Sequence, residues 1–312
     1  MTARWYRALY RIRRVEDEIA RVYPTDRIQS PIHLSVGQEA VSVGVCEALG
    51  PEDVVFGTYR SHALYLAKGG DLNRMIAELY GKATGCAGGK GGSMHLIDRA
   101  HGVMGTSAVV GTTIPLSVGY AYALRMRRPD AIVASFFGDG AVDEGVFHES
   151  LSFAALKRLP VLFVCENNGY AIHSPVRQRQ PLDNIAARAG VYGIPAASVP
   201  GSDPADVCDA TRAAVTHIRA GGGPRFIECL TYRWKQHVGP DDDFTAGYRP
   251  RAEAEPWFTR DALAAYAGAL DASTRGAIEA SVDAEIREAF AFAERSPFPA
   301  EAALYTDLPE EV

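Results

Sequence analysis

The chain has 312 residues, 47% hydrophobic and 22% charged, the proportions of a globular protein able to bury a substantial core. Its net charge of −6 argues against a nucleic-acid partner, because a phosphate backbone is met by a basic surface. Cys46, Cys86, Cys165, Cys208 and Cys229 form no CxxC pair and no zinc-type spacing, so they read as free thiols and the protein as cytoplasmic.

At the N-terminus Trp5, Leu9, Ile12, Val15, Ile19 and Val22 recur at helical spacing with charged residues between them, which predicts an amphipathic helix. No apolar run there suits a signal peptide or a membrane span, and Glu16-Asp17-Glu18 is too acidic for a mitochondrial transit peptide. Residues 81–92 hold too many glycines for regular structure and predict a loop that turns sharply or lies close to another group.

The middle of the chain alternates between strand and helix patterns. Residues 131–137 and 161–165 are short apolar runs, hence buried strands, and 144–159 carries apolar residues at helical spacing. Strand, helix and strand in succession make a βαβ unit, which implies a parallel sheet with helices on both faces. A helix over 204–220 leads into a further strand over 225–230. Two helices, about 259–270 and 273–295, close the chain, the second ended by Pro297-Phe298-Pro299. The expected organisation is an α/β domain over residues 1–250 with a helical C-terminal extension of that domain over 251–312.

Two motifs stand at the expected strand ends. Gly138-Asp139-Gly140 follows the first strand and Asn167-Asn168 the second, with 26 residues, 141 through 166, between them. The crossover brings the two strand ends side by side, so Asp139 and Asn168 can face one point beyond the sheet, where ligands bind in such folds. A carboxylate and an amide carbonyl are hard oxygen donors that suit Mg²⁺ or Ca²⁺ and not zinc. The flanking glycines leave room for a phosphate, and the following helix offers its N-terminal amides to it. Alone, Gly-Asp-Gly is more often a plain turn; the pairing at this spacing carries the reading.

This arrangement resembles the signature of thiamine-diphosphate enzymes. The resemblance implies Mg²⁺ held by Asp139, Asn168 and the backbone carbonyl of Tyr170, with amides of Gly140 and Ala141 toward the diphosphate. In order along the chain come Gly37-Gln38-Glu39-Ala40, Thr58-Tyr59-Arg60-Ser61-His62, Gly89-Lys90-Gly91-Gly92-Ser93-Met94-His95, and Thr231-Tyr232-Arg233 followed by His237. Together they are similar to the alpha subunit of the decarboxylating component of 2-oxo acid dehydrogenases, a family that includes pyruvate, branched-chain and acetoin dehydrogenases. By that likeness Tyr59 and Arg60 hold the diphosphate, and His62 and His237 act near the cofactor on protons or phosphate. Val110, 29 positions before Asp139, touches the aminopyrimidine ring. Ala108 stands where the family often has glycine. Glu39 lies in a structural region, and Asp241-Asp242-Asp243 ahead of Tyr248-Arg249 is similar to a loop that orders on binding. Plainer readings stand beside these: core packing for Val109-Val110-Gly111, a solvated acidic turn for the three aspartates, and structural or surface roles for His33, His101, His148, His173 and His217.

The resemblance also implies a partner. The glutamate that activates the cofactor ring belongs in this superfamily to a second domain, and this chain matches the diphosphate-binding domain alone. A beta subunit is expected to supply it, in a heterotetramer of two alpha and two beta chains. The implied reaction is oxidative decarboxylation of a small 2-oxo acid, with acyl transfer to the lipoyl carrier of an acyltransferase. Relatives commonly read Gly-His-Ser around the active-site histidine, where this chain has Gln236-His237-Val238. Val238 removes a serine phosphorylated in mitochondrial relatives and alters the loop where the acceptor enters. The alternative is a decarboxylating carboligase that passes a two-carbon unit to a carbonyl acceptor such as a keto sugar. A third reading, a non-catalytic regulatory subunit, is opposed by intact Asp139, Asn168, Arg60 and His237.

Overall fold

Short apolar strands flanked by turn residues assemble into a sheet covered on both faces. The computed structural model describes residues 1–127, 130–182 and 184–307. Its strands are β1 (Val54–Thr58), β2 (Val103–Ser107), β3 (Val133–Gly138), β4 (Val161–Asn167), β5 (Tyr170–Ala171), β6 (Ser174–Pro175), β7 (Ala196–Pro200) and β8 (Arg225–Leu230). Its helices are α1 (Thr2–Val22), α2 (Glu39–Ala48), α3 (His62–Ala67), α4 (Leu72–Leu79), α5 (Thr113–Arg127), α6 (Gly145–Lys157), α7 (Val176–Arg179), α8 (Ile185–Gly190), α9 (Pro204–Arg219), α10 (Arg251–Phe258), α11 (Ala262–Gly268) and α12 (Ala272–Arg295).

Six strands pair in the order β2-β1-β3-β4-β8-β7, every pair parallel, while β5 and β6 form a small antiparallel hairpin. Alternate residues of each strand enter different cores, as the pleat requires. Ala134, Phe136, Leu162 and Val164 join the core beneath α1, α2, α4, α9 and α12. Val133, Phe137, Val161 and Phe163 join the one beneath α5, α6 and α8. Both faces are thus dry, which is why these strands read as continuous apolar runs.

The α/β architecture agrees with the expectation, and β3, α6, β4, α9 and β8 lie within a few residues of their predicted positions. Strands β1, β2 and β7 were not foreseen. Gly57, Gly105, the polar end of β2, and Ser198 and Pro200 of β7 break the apolar runs that mark a strand, and pairing with neighbours overrides that weak local signal. The helix expected over 259–270 is the shorter α11, and a separate helix, α10, precedes that range. Asp261 accepts a hydrogen bond from the Leu263 amide at 3.1 Å, so it starts α11 as its N-cap, and α10 begins earlier, at Arg251.

The C-terminal helices share the main core with the N-terminal one: Ile286, Phe290 and Ala293 of α12 are buried in the cluster that holds Leu9, Ile12 and Ile19. The Tyr6 hydroxyl donates to Glu279 at 2.6 Å, and Arg11 donates to Glu285 at 2.7 Å across the same junction. Positions 308–312 of the expected extension lie outside the described residues. Among the described residues no helix is long and apolar enough to cross a membrane. All five cysteines are free thiols.

The glycine-rich loop has a centre. Glu78, fully buried at the end of α4, accepts backbone N–H groups from Ala87 at 2.7 Å, Gly89 at 2.9 Å, Gly91 at 2.7 Å and Gly92 at 3.1 Å. The loop has to fold tightly around one carboxylate, and a Cβ on Gly85 would stand 2.2 Å from Glu78 Oε2. The close approach predicted for this loop is therefore to the protein's own side chain.

Candidate active site

The carboxyl ends of β1, β2, β3 and β4 open on one cavity of about 250 Å³. Here the strand order turns back on itself, because β1 leads outward to β2 while β3 and β4 lie on its other side, the usual location of a ligand in such sheets. Gly138 stands opposite Glu166 in the β3–β4 register, so Asp139 and Asn168 leave the sheet beside one another. The structure brings Tyr59, Arg60, Val110, Asp139, Gly140, Ala141, Asn168, Tyr170 and His237 to this cavity.

Asp139 opens a 3₁₀ turn over Asp139–Asp143, and α6 begins only at Gly145. The first amides beyond the aspartate are thus those of the turn and not of the predicted helix. Gly138 has open space where a side chain would be, whereas a Cβ on Gly140 would meet the Ala171 Cβ at 2.8 Å. The first glycine leaves room for a ligand; the second lets the β5–β6 hairpin pack against the turn.

The Asp139 carboxylate is 1% exposed. Its Oδ2 accepts a hydrogen bond from Arg179 Nη2, while its Oδ1 has no hydrogen-bond partner among the described residues. Burial pushes its pKa up to about 6, against the opposing pull of the Arg179 guanidinium and nearby backbone amides. Asn168 donates from Nδ2 to Gln38 Oε1 at 3.0 Å, which fixes the orientation of its amide, and its Oδ1 accepts from the Tyr170 amide at 3.1 Å. That oxygen retains a second lone pair. Tyr170 donates its hydroxyl to Glu253 at 2.7 Å.

Arg60 lies beyond β1 in a turn held by the Thr58 hydroxyl, which accepts from the Arg60 amide at 3.1 Å. Its Nη1 donates to the Leu34 carbonyl at 2.7 Å and its Nη2 to the His237 carbonyl at 3.1 Å. No carboxylate among the described residues lies within ion-pair distance of it. Burial, with Arg233 nearby, lowers its pKa to about 10, so it stays cationic at working pH. A buried guanidinium that faces a cavity and has no ion-pair partner among the described residues suits an anionic ligand. His237 Nδ1 stands 3.3 Å from Arg60 Nη2. Burial and the cations Arg60 and Arg233 depress its pKa to about 3, which keeps the ring neutral.

His62, expected near the cofactor, does not line this cavity. Its ring is fully buried, with Nδ1 at 3.2 Å from Glu16 Oε2 and Nε2 at 2.8 Å from Ser93 Oγ. It ties α1, α3 and the segment after the glycine-rich loop together. Glu39 is structural as expected: it pairs with Arg13 and accepts from the Gly37 amide at 2.9 Å. Asp243 is no solvated turn. It is buried between Arg233 and Arg249, and the Arg249 guanidinium stands 5.0 Å from the Tyr232 ring and 5.1 Å from Phe244.

Several site residues escaped the sequence reading. The His33 ring lies 4.4 Å from that of Tyr59 and 5.1 Å from that of His237, and its buried Nδ1 has no partner among the described residues. Glu166, beside the Asn167-Asn168 pair, is pushed up to about 7 by burial. Ile172 lines the cavity with a left-handed φ of 54°, a strained conformation for a β-branched residue. Arg179 grips Asp139. In the sequence each looks like an ordinary loop or strand residue, and only Glu166, adjacent to the motif, carried a local signal.

Among the described residues no group of three or more His, Cys, Asp and Glu side chains is arranged to hold a metal. The predicted set has a different composition, one carboxylate with an amide and a backbone carbonyl. The unpartnered Oδ1 of a buried aspartate, beside an oriented asparagine and an unpaired arginine, fits a hard cation carrying an anionic ligand.

Comparisons with known proteins place the chain in a family. The family described as dehydrogenase E1 component matches residues 7–302. The subunit alpha of acetoin:2,6-dichlorophenolindophenol oxidoreductase from Bacillus subtilis (strain 168) is 39% identical over 308 residues, 97% of this chain and 92% of the relative. The pyruvate dehydrogenase E1 component subunit alpha of Zymomonas mobilis is 37% identical over 311 residues, 97% of this chain and 87% of the relative. The chloroplastic subunit alpha-3 of the same component from Arabidopsis thaliana is 36% identical over 305 residues, 94% of this chain and 70% of the relative. The chain belongs to the dehydrogenase E1 component family, as an alpha-type chain of its thiamine-diphosphate-dependent 2-oxo acid dehydrogenases.

Proposed function

We propose that this chain binds thiamine diphosphate through Mg²⁺ and works with a beta subunit in the oxidative decarboxylation of a 2-oxo acid, the acyl group passing to a lipoyl carrier. The observation that carries the reading is the buried Asp139 with its free Oδ1, set beside Asn168 at the ends of two adjacent strands. Asp139, Asn168 and the Tyr170 carbonyl would hold the cation, and Tyr59 and Arg60 the diphosphate. When bound, the cofactor supplies a nucleophilic carbon and an electron sink for decarboxylation. His237, kept neutral beside Arg60, can accept a hydrogen bond at the cavity wall. His62 positions the scaffold through Glu16 and Ser93 and is not assigned to the chemistry.

A partner chain is supported by exposed apolar surface at the cavity mouth. Val109 and Val110 are 63% and 46% exposed, although both line the cavity. Leu116 of α5 and Phe153 and Leu156 of α6 are exposed too, and the Tyr122 ring of α5 lies 5.9 Å from that of Phe153. A beta subunit over this region would cover the apolar wall and bring the glutamate that activates the cofactor ring.

A second substrate reading is favoured by the relative named for acetoin. The test is coexpression with a beta-type chain, then a panel of 2-oxo acids and acetoin with an artificial electron acceptor. Dye reduction that needs both chains, Mg²⁺ and thiamine diphosphate is expected, and the productive substrate settles the choice. Turnover by this chain alone would overturn the two-chain proposal. Release of CO₂ that requires a keto-sugar acceptor and reduces no dye would make it a carboligase.

A further inference from the structure

Arg179 closes the short helix α7 and looks like a surface residue in the sequence, yet its guanidinium is largely enclosed. It donates to Asp139 Oδ2 from Nη2 and to Asp143 Oδ2 from Nη1, and its Nε donates to the Ser174 carbonyl at 3.2 Å. The fork is thus held from three sides, by the turn after β3 at two points and by the β5–β6 hairpin. Asp143 has other partners: Gln180 Nε2 donates to its Oδ1 at 3.1 Å, and Arg188 stands 3.7 Å away. Asp139 has no other cation within ion-pair distance among the described residues.

From this geometry we infer that Arg179 is a positioning residue for cation binding: by holding Oδ2 it fixes the plane of the Asp139 carboxylate and presents Oδ1. A carboxylate bonded at one oxygen has lost its rotational freedom, and the remaining oxygen is directed. A buried acceptor left unpaired is costly, and a ligand at the directed Oδ1 would relieve that cost. Partners that orient a metal ligand typically change metal affinity about 10–100-fold when removed. The sequence signature around Asp139 and Asn168 contains no sign of Arg179, which lies 40 positions beyond Asp139.

The inference rests on the proposed cation role of Asp139, and the experiment separates the two. Mn²⁺ is titrated into the full chain with its partner chain and thiamine diphosphate, and free Mn²⁺ is read by electron paramagnetic resonance. Asp139→Ala should abolish binding; if it does not, the cation reading itself fails. Given that loss, Arg179→Gln should weaken Mn²⁺ binding about tenfold or more. Arg179→Lys, which keeps the charge but cannot span both aspartates, should recover most of the loss. Asp143→Asn, which cuts only the other arm of the fork, should stay within about threefold of the unaltered chain, a smaller effect than removal of a ligand-orienting partner. Three results overturn the inference: unaltered affinity in Arg179→Gln, equal weakening in Asp143→Asn, which would mean a mere staple, and tighter binding in Arg179→Gln, which would mean a competing cation. Should Arg179→Gln fail to fold, Arg179→Ala takes its place: the same weakening is expected, and unaltered affinity overturns the inference.

Discussion

Two buried carboxylates, each set among glycines, follow opposite rules. Glu78 is surrounded: four backbone N–H groups of the glycine-rich loop point at its two oxygens, and the loop exists around it. Asp139 is left half-finished, one oxygen held by Arg179 and the other without a partner at the edge of a cavity. A carboxylate whose capacity is used up locally serves the fold. One whose capacity is reserved serves a ligand, and its surroundings must be arranged elsewhere in the chain to tolerate the unmet bond.

The largest expected effect breaks the first member of the pair. Glu78→Ala strands four amides at once, and a loss of roughly 3–5 kcal/mol in stability is expected from uncompensated buried donors. Chemical unfolding of the purified chain measures it, and a loss below about 1 kcal/mol would erase the contrast with Asp139. Asp139→Asn should show the reverse: stability within about 1 kcal/mol, since a buried charge is removed, but activity of the two-chain enzyme down by about 100-fold or more, because a charged ligand is gone. Unchanged kcat/KM would show that the free oxygen is not reserved for a ligand.

His62→Ala tests the assignment of His62 to the scaffold. Leaving Glu16 and Ser93 without their shared partner should cost about 2 kcal/mol of stability, with kcat reduced less than threefold once the enzyme is assembled. A large fall in kcat at full occupancy would return this histidine to the chemistry. The smallest effect is a pH dependence. The Asp139 carboxyl is raised from its ordinary 3.8 to about 6. Its folded value exceeds its unfolded one, so the stability it lends the chain is complete below about 4 and is lost as pH rises through about 6. A cation must displace that proton. Affinity for Mg²⁺ with thiamine diphosphate should therefore fall about tenfold per unit as pH drops below about 6, and level off above it. A titration flat from pH 5 to 7 would remove Asp139 from the cation site.

What the amino-acid order determined by itself was whatever depends on neighbours in the chain. The amphipathic pattern of Trp5 through Val22, the apolar runs at β3, β4 and β8, and the interval from Gly138-Asp139-Gly140 to Asn167-Asn168 carry their information locally. Period and spacing are enough to imply a parallel sheet with two loop motifs meeting at its edge. Folding alone decided which distant residues complete the site. Arg179 comes to Asp139 from 40 positions away, His33 to His237 across most of the chain, and His62 turns inward to Glu16 instead of outward to the cavity. Such pairings depend on how helices and loops pack over the sheet. A histidine or arginine leaves the same mark in a sequence whether it faces a ligand, a carboxylate or water.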